Sequence, residues 1–243
     1  MKNLKNYIKD YINENYLDES VWDINESVWD IEDNIEDDNK KFILDEVKKF
    51  IKDNYININI KRCEFVFDEK KDKYIISCNQ RVYLQLESKQ LTNDLFEWGV
   101  VKDDFNCSQC PNLTSLLGAP KEVGGAFNCH SCTKLKSLEG APEYVGGAFS
   151  CCGCPITSLK GAPKKVGGAF NCRSCTKLKS LKGAPKKVGW DFDCSYCSNL
   201  ESLQGAPKEV GWDFDCTSCP NLHSLVGVGK VEGEIFSDIK TNK

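Results

Sequence analysis

A motif of 22 residues repeated end to end from Phe105 to Phe236 constrains this chain more than any other feature. Its second copy runs Phe127-Asn-Cys-His-Ser-Cys-Thr-Lys-Leu-Lys-Ser-Leu-Glu-Gly-Ala-Pro-Glu-Tyr-Val-Gly-Gly-Ala148. The leading Phe returns at 105, 127, 149, 170, 192, 214 and 236, and one step is 21 residues because Cys154-Pro-Ile-Thr-Ser-Leu159 is one residue short. A fixed short period means that each unit can bury its apolar side only against its neighbours, which is the condition for a solenoid.

Within the unit, Phe-x-Cys has the period of two that puts both side chains on one face of a strand. Cys-x-x-Leu-x-x-Leu then turns the chain back, and Gly-Ala-Pro-x-x-Val-Gly-Gly closes the coil with turn-forming residues. Each coil is therefore expected to be one short strand and one loop-rich return. The fold class expected is α+β: a solenoid with a curved parallel sheet and a loop-rich convex side, preceded by a helical and antiparallel-strand cap.

The unit resembles the leucine-rich repeat, whose frame is Leu-x-x-Leu-x-Leu-x-x-Asn/Cys-x-Leu. Phe127 and Cys129 stand at the two strand leucines, Cys132 at the Asn/Cys position, and Leu135 and Leu138 at the return leucines. Ser-Leu-x-Gly-Ala-Pro-x-x-Val is similar to the short bacterial subtype found in secreted effectors, and the Gly-Ala-Pro and Val-Gly-Gly variants resemble repeats of bacteriophages and related mobile elements. The resemblance implies a binding scaffold and says little about its target. The ubiquitin-ligase domain that follows the repeats in some similar-looking effectors has no counterpart in Val226 to Lys243.

Ahead of the array, residues 3 to 37 show helical periodicity, with Leu17, Val21, Ile24, Val28, Ile31 and Ile35 stepping by four and three. Trp22 and Trp29 lie one heptad apart beside that stripe. Between Tyr11 and Asp38 there are eleven carboxylates, among them Glu32, Asp33, Glu36, Asp37 and Asp38, and no Lys or Arg. As a helix the segment would carry one negative charge per roughly 3.8 Å, close to the ~3.4 Å spacing of phosphates along a nucleic-acid strand. It is either a solvated cap helix or an acidic arm for the basic groove of a nucleic-acid enzyme, and it argues against direct nucleic-acid binding.

A second helix is expected from Asp38 or Asn39 through Ile51. Tyr55–Lys61, Cys63–Phe67, Tyr74–Cys78 and Arg81–Leu86 then read as antiparallel strands, with a charged turn over Asp68 to Lys73. Tyr83 lies one period before Phe105 and Leu91 one before Leu113. The organisation expected is an acidic helical region at 1–54, an antiparallel-strand cap at 55–82, a degenerate lead-in repeat at 83–104, six repeats at 105–235 and a C-terminal cap at 236–243.

Six Cys-x-x-Cys pairs begin at Cys107, Cys129, Cys151, Cys172, Cys194 and Cys216, spaced much as in four-cysteine zinc ribbons. Each cysteine also has a place in the coil, the first as an inward strand residue and the second as a donor into the turn, and a free thiol packs well as a small buried hydrophobe. Stacked strands would set equivalent thiols about 4.8 Å apart in columns and not in tetrahedral cages. Structural thiols without a metal or cofactor are the expectation, with a zinc-ribbon array contacting nucleic acid as the alternative. The odd total of 15 cysteines disfavours a disulfide framework.

Function then falls to side chains that the repeat does not need. Two consecutive units replace Gly-Gly-Ala-Phe-Asn by Gly189-Trp190-Asp191-Phe192-Asp193 and Gly211-Trp212-Asp213-Phe214-Asp215. With Tyr196 nearby, these make a candidate partner-binding patch, because aromatic anchors dominate interface energetics; the simpler alternative is two indoles stacked along the ladder. The array carries 14 basic and 11 acidic residues, too even a balance to predict nucleic-acid binding. Only His130 and His223 are present, neither in triad or metal spacing, so no enzyme is expected. The first residues lack a signal-peptide apolar run and no stretch reaches the roughly 20 residues of a membrane span, so a soluble cytoplasmic protein of unknown oligomeric state is expected. The function expected is binding of a protein partner: inhibition of a host defence nuclease such as a CRISPR effector by a phage or mobile-element protein, or an effector or adaptor with another target.

Overall fold

The computed structural model describes residues 38–53, 56, 58, 62–86, 89–92 and 94–239. The acidic segment with Trp22, Trp29, Glu32, Asp33, Glu36 and Asp37 lies outside the described residues; Asp38 opens helix α1, Asp38–Asp53. Ile43, Leu44, Val47 and Ile51, spaced by one, three and four, are the buried face of that helix. Strands β1 (Cys63–Asp68) and β2 (Lys73–Cys78) pair antiparallel in register Cys63↔Cys78 through Asp68↔Lys73. Among the described residues no helix is long and apolar enough to cross a membrane.

From there every pairing is parallel. Strand β3 (Val82–Tyr83) heads one ladder, which continues through β5 (Phe105–Asn106), β7 (Phe127–Asn128), β9 (Phe149–Ser150), β11 (Phe170–Asn171), β13 (Phe192–Asp193), β15 (Phe214–Asp215) and β17 (Ile235–Phe236). A second ladder joins β2 to β4 (Phe96–Val101) and then to β6 (Glu122–Val123), β8 (Tyr144–Val145), β10 (Lys165–Val166), β12 (Lys187–Val188), β14 (Glu209–Val210) and β16 (Lys230–Val231). The return is thus more regular than its turn residues suggest. The two residues before each Gly-Gly are extended, and their Val points inward where it stacks on its equivalents.

The core is a set of columns running along the solenoid axis. In each of the first five coils a Phe, two Cys, two Leu or Ile and a Val are almost completely buried; in the sixth Leu225 and Val231 are only partly so. The six rings from Phe105 to Phe214 stack with centroids 5.2–5.5 Å apart and planes within 4–17°. Edge-to-face contacts carry the column through Trp98 and Phe96 to Phe50 of α1, so the helix closes the N-terminal end of the same core. The 21-residue step leaves the ladder intact, since Phe149 still faces Phe170 and Ile156 fills the leucine column.

Four expectations are corrected at the ends. Val82, not Tyr83, faces Phe105 and is buried, while the Tyr83 ring is exposed, because the lead-in step is one residue longer. Strand β3 also joins its neighbour parallel, so among the described strands only β1 and β2 are antiparallel. At the other end Ile235, not Phe236, takes the place opposite Phe214, and Phe236 faces outward beside Asp215. Finally, Cys63 and Cys78, directly opposed across the antiparallel pair with Cα atoms 4.1 Å apart, form a disulfide; the other 13 cysteines are free.

Candidate partner-binding face

The paired cysteines are used by the coil itself. The second thiol of each pair donates to the carbonyl of the first cysteine one coil earlier, at 3.1–3.3 Å for Cys132, Cys154, Cys175, Cys197 and Cys219. The residue before it turns left-handed: Gln109, Ser131, Ser174, Tyr196 and Ser218 have φ of 55–58°, and Gly153 has 70°. Such a donor must keep its proton, and among the described residues no group of three or more His, Cys, Asp or Glu is arranged to hold a metal ion. Cys152 lies outside both columns but is half-buried, and burial pushes its thiol up, away from the reactive thiolate.

The outward polar residues of the first ladder also have a structural task. Asn106, Asn128, Asn171, Asp193 and Asp215 each accept the N–H two residues on through Oδ1, at 2.8–3.1 Å, capping the strand end. A second seat lies at the corner between the ladders. There Asp104 accepts Ala126 N–H at 2.8 Å, Asp191 accepts Asp213 N–H at 3.1 Å, and Asp213 accepts Glu234 N–H at 2.9 Å. Asp191, Asp193, Asp213 and Asp215, read from the sequence as free for binding, are therefore fixed by the coil, each through one oxygen.

Where the corner residue is Ala, the next amide has no acceptor among the described residues, as at Ala148 N–H above Ala126. Gly147 leaves the clearance there that Gly125 leaves for Asp104. Ala126→Asp is accordingly expected to stabilise the fold by about 1 kcal/mol. Thermal unfolding measures it: a rise of a few degrees agrees, and an unchanged or lower midpoint shows that the seat does not form.

The tryptophans are different, because the coil closes better without them. Their column holds Gly125, Gly147, Gly168 and Gly233 elsewhere, and a Cβ on Gly147 or Gly168 would come within 2.8 or 2.7 Å of the preceding coil's backbone. Admitting the Trp Cβ opens the corner. Its amide bonds are 2.8–3.1 Å at the four glycines and 3.2–3.3 Å at Trp190 and Trp212. The indoles stack on each other, centroids 5.7 Å apart and 18° between planes, yet remain 54% and 59% exposed.

Tyr196 lies in the turn that follows strand Phe192–Asp193. A bulky side chain in the left-handed region is strained, and here the ring is 48% exposed with the Arg173 guanidinium 4.3 Å from its centroid. The structure thus brings Trp190 onto Trp212, Asp191 onto Asp213 and Asp193 opposite Asp215 on adjoining coils. Sequence reasoning did not pair Arg173 with Tyr196 or place Phe236 beside Asp215. The column registers of Arg173 with Tyr196 and of Phe236 with Asp215 were the signal that could have found them. The lysines form rim ion pairs between coils, Lys164 with Glu143 at 2.7 Å and Lys187 with Glu209 at 2.8 Å, of the exposed kind that contributes little. Comparison with family models, curated proteins and solved structures finds no match.

Proposed function

We propose that this protein is a non-enzymatic binding module, a leucine-rich-repeat solenoid of the short bacterial and bacteriophage type that engages a protein partner through the Trp190–Trp212 face. The observation that carries this is the exposed indole pair in a glycine column. Two large apolar groups are held in solvent where the backbone must open to admit them, which a stability role does not require. The leucine-rich-repeat assignment is supported by Cys132 and its equivalents, whose thiols donate into the turn from the family's Asn/Cys position.

The partner class favoured is a nucleic-acid enzyme, and the role an occluding inhibitor of a host defence nuclease such as a CRISPR effector, encoded by a phage or mobile element. Supporting this are the phage-like Gly-Ala-Pro and Val-Gly-Gly segments and the eleven carboxylates between Tyr11 and Asp38. Tagged protein would be used to capture partners from lysates of low-GC bacteria, with and without nuclease, beside the Trp190→Ala/Trp212→Ala double variant. A stoichiometric protein that survives nuclease and is lost with the double variant, at unchanged melting temperature, is the expected result. Recovery of nucleic acid alone, or a partner indifferent to the double variant, removes this face as the binding surface.

A further inference from the structure

Two exposed tyrosine rings of the solenoid, Tyr144 and Tyr196, are covered by cations from the neighbouring coil. Lys165 Nζ sits 5.5 Å from the Tyr144 ring centroid, and Arg173 Cζ sits 4.3 Å from that of Tyr196. Among the described residues no cation covers the tryptophan stack. Its two outer ring faces are followed in the same column by Gly168 and Gly233, which have no side chain to lay over them.

The gap over Gly233 has a second feature that the one over Gly168 lacks. Asp213 Oδ1 lies 2.2 Å from where a Cβ on Gly233 would stand, and it accepts Glu234 N–H at 2.9 Å. The carboxylate is thereby pinned at the rim of the gap, with its other oxygen left as an acceptor. Among the described residues, none fills the gap. Any side chain at Gly233 would drive its Cβ into that carboxylate, and the lysine on that coil, Lys230, is ion-paired with Glu232. An exposed indole beside a fixed carboxylate, to which no described residue brings a cation, is therefore a place for a cation from a partner.

We propose that the gap over Gly233, between the outer face of Trp212 and the Asp213 carboxylate, receives an arginine side chain of the protein partner. A guanidinium is planar and weakly hydrated; it stacks flat on an aromatic ring while its edge donates to a carboxylate. Arg173, 4.3 Å from the Tyr196 ring centroid, shows a guanidinium over an aromatic ring elsewhere on this solenoid. The proposal rests on the binding-module reading and adds to it the chemistry of the anchoring residue.

The test is titration of the full chain, labelled at the indole N–H groups, with acetyl-Gly-Arg-Gly-amide and with the same peptide carrying citrulline, which is isosteric and uncharged. The Trp212 signal is expected to shift saturably with the arginine peptide and to stay in place with the citrulline peptide. Asp213→Asn keeps an oxygen for Glu234 N–H but removes the charge, and is expected to weaken the arginine peptide on the order of tenfold. An unmoved Trp212 signal, equal responses to the two peptides, or an affinity untouched by Asp213→Asn overturns the proposal. Such a failure leaves the binding-module reading to the capture experiment; conversely, an intact arginine response with capture indifferent to the Trp double variant sinks that reading alone.

Discussion

Stability is expected to hold level up to about pH 9 and then to fall away within roughly two pH units, because most core thiols are held above their ordinary value in the fold. Cys197, lowered by its hydrogen bond with Cys172, is an exception. A thiol's ordinary value is near 9. Burial, the leading cause, raises Cys219 to about 12. The hydrogen bond from Cys110 pulls Cys132 down, but its bond with Cys154 and burial outweigh that, leaving it at about 12. For Cys129 the Cys154 hydrogen bond likewise lowers, burial and adjoining thiols raise, and the result is about 11. Cys107, Cys172 and Cys194 are driven well above the ordinary value, first by burial and then by neighbouring thiols.

The direction follows from proton binding. Between the unfolded and the folded value the unfolded chain has lost its proton and the folded chain has kept it, so stability falls as pH rises. The contribution is complete below about 9 and vanishes progressively towards the folded value. Each such thiol removes about 1.4 kcal/mol per pH unit, so Cys129, Cys132 and Cys219 alone remove about 4 kcal/mol per unit against a typical total of about 5–15 kcal/mol. Far-ultraviolet circular dichroism and thiolate absorbance recorded together check this. One cooperative transition in both signals is expected; thiolates appearing one by one near pH 9 in a chain of unchanged spectrum would contradict the buried columns.

Phe149→Ala is expected to cost about 3–5 kcal/mol. The ring is fully buried and stacked 5.5 Å from Phe127 and 5.2 Å from Phe170, so its removal leaves a void that the flanking strands, held in register on both sides, cannot close. In a solenoid, coupling passes only between neighbours, and the cavity weakens both interfaces of one coil. Hydrogen exchange should show the loss centred on Phe127–Asn128 and Phe170–Asn171 and fading towards α1. Urea unfolding should shift to a lower midpoint. A loss under about 1 kcal/mol would mean that the column collapses around the gap and that ring stacking is not what fixes the coil spacing.

The sequence already contained the solenoid, because its period and its inward Phe, Cys, Leu and Val positions are local facts that repetition makes unmistakable. Helix α1, the antiparallel β1–β2 pair and the thiol columns were legible for the same reason: each follows from the periodicity of one segment. Tyr83 and Phe236 were misplaced because a column is defined by pairing register, and at the two ends of the array no further copies constrain which residue faces Phe105 or Phe214.

What only the tertiary structure decided is everything that passes between coils. The disulfide joins Cys63 to Cys78 because the β1–β2 register opposes them. The second ladder forms because identical extended pairs stack at the pitch of a sheet. Asp191 and Asp213 serve amides 22 and 21 residues away, which no local pattern in the chain announces. The Trp190–Trp212 substitution was visible as an oddity in the repeat. That it opens the corner, keeps both rings in solvent and leaves a bare indole face beside a pinned carboxylate depends on the ~4.8 Å rise between coils, a distance that exists only once the chain has wound.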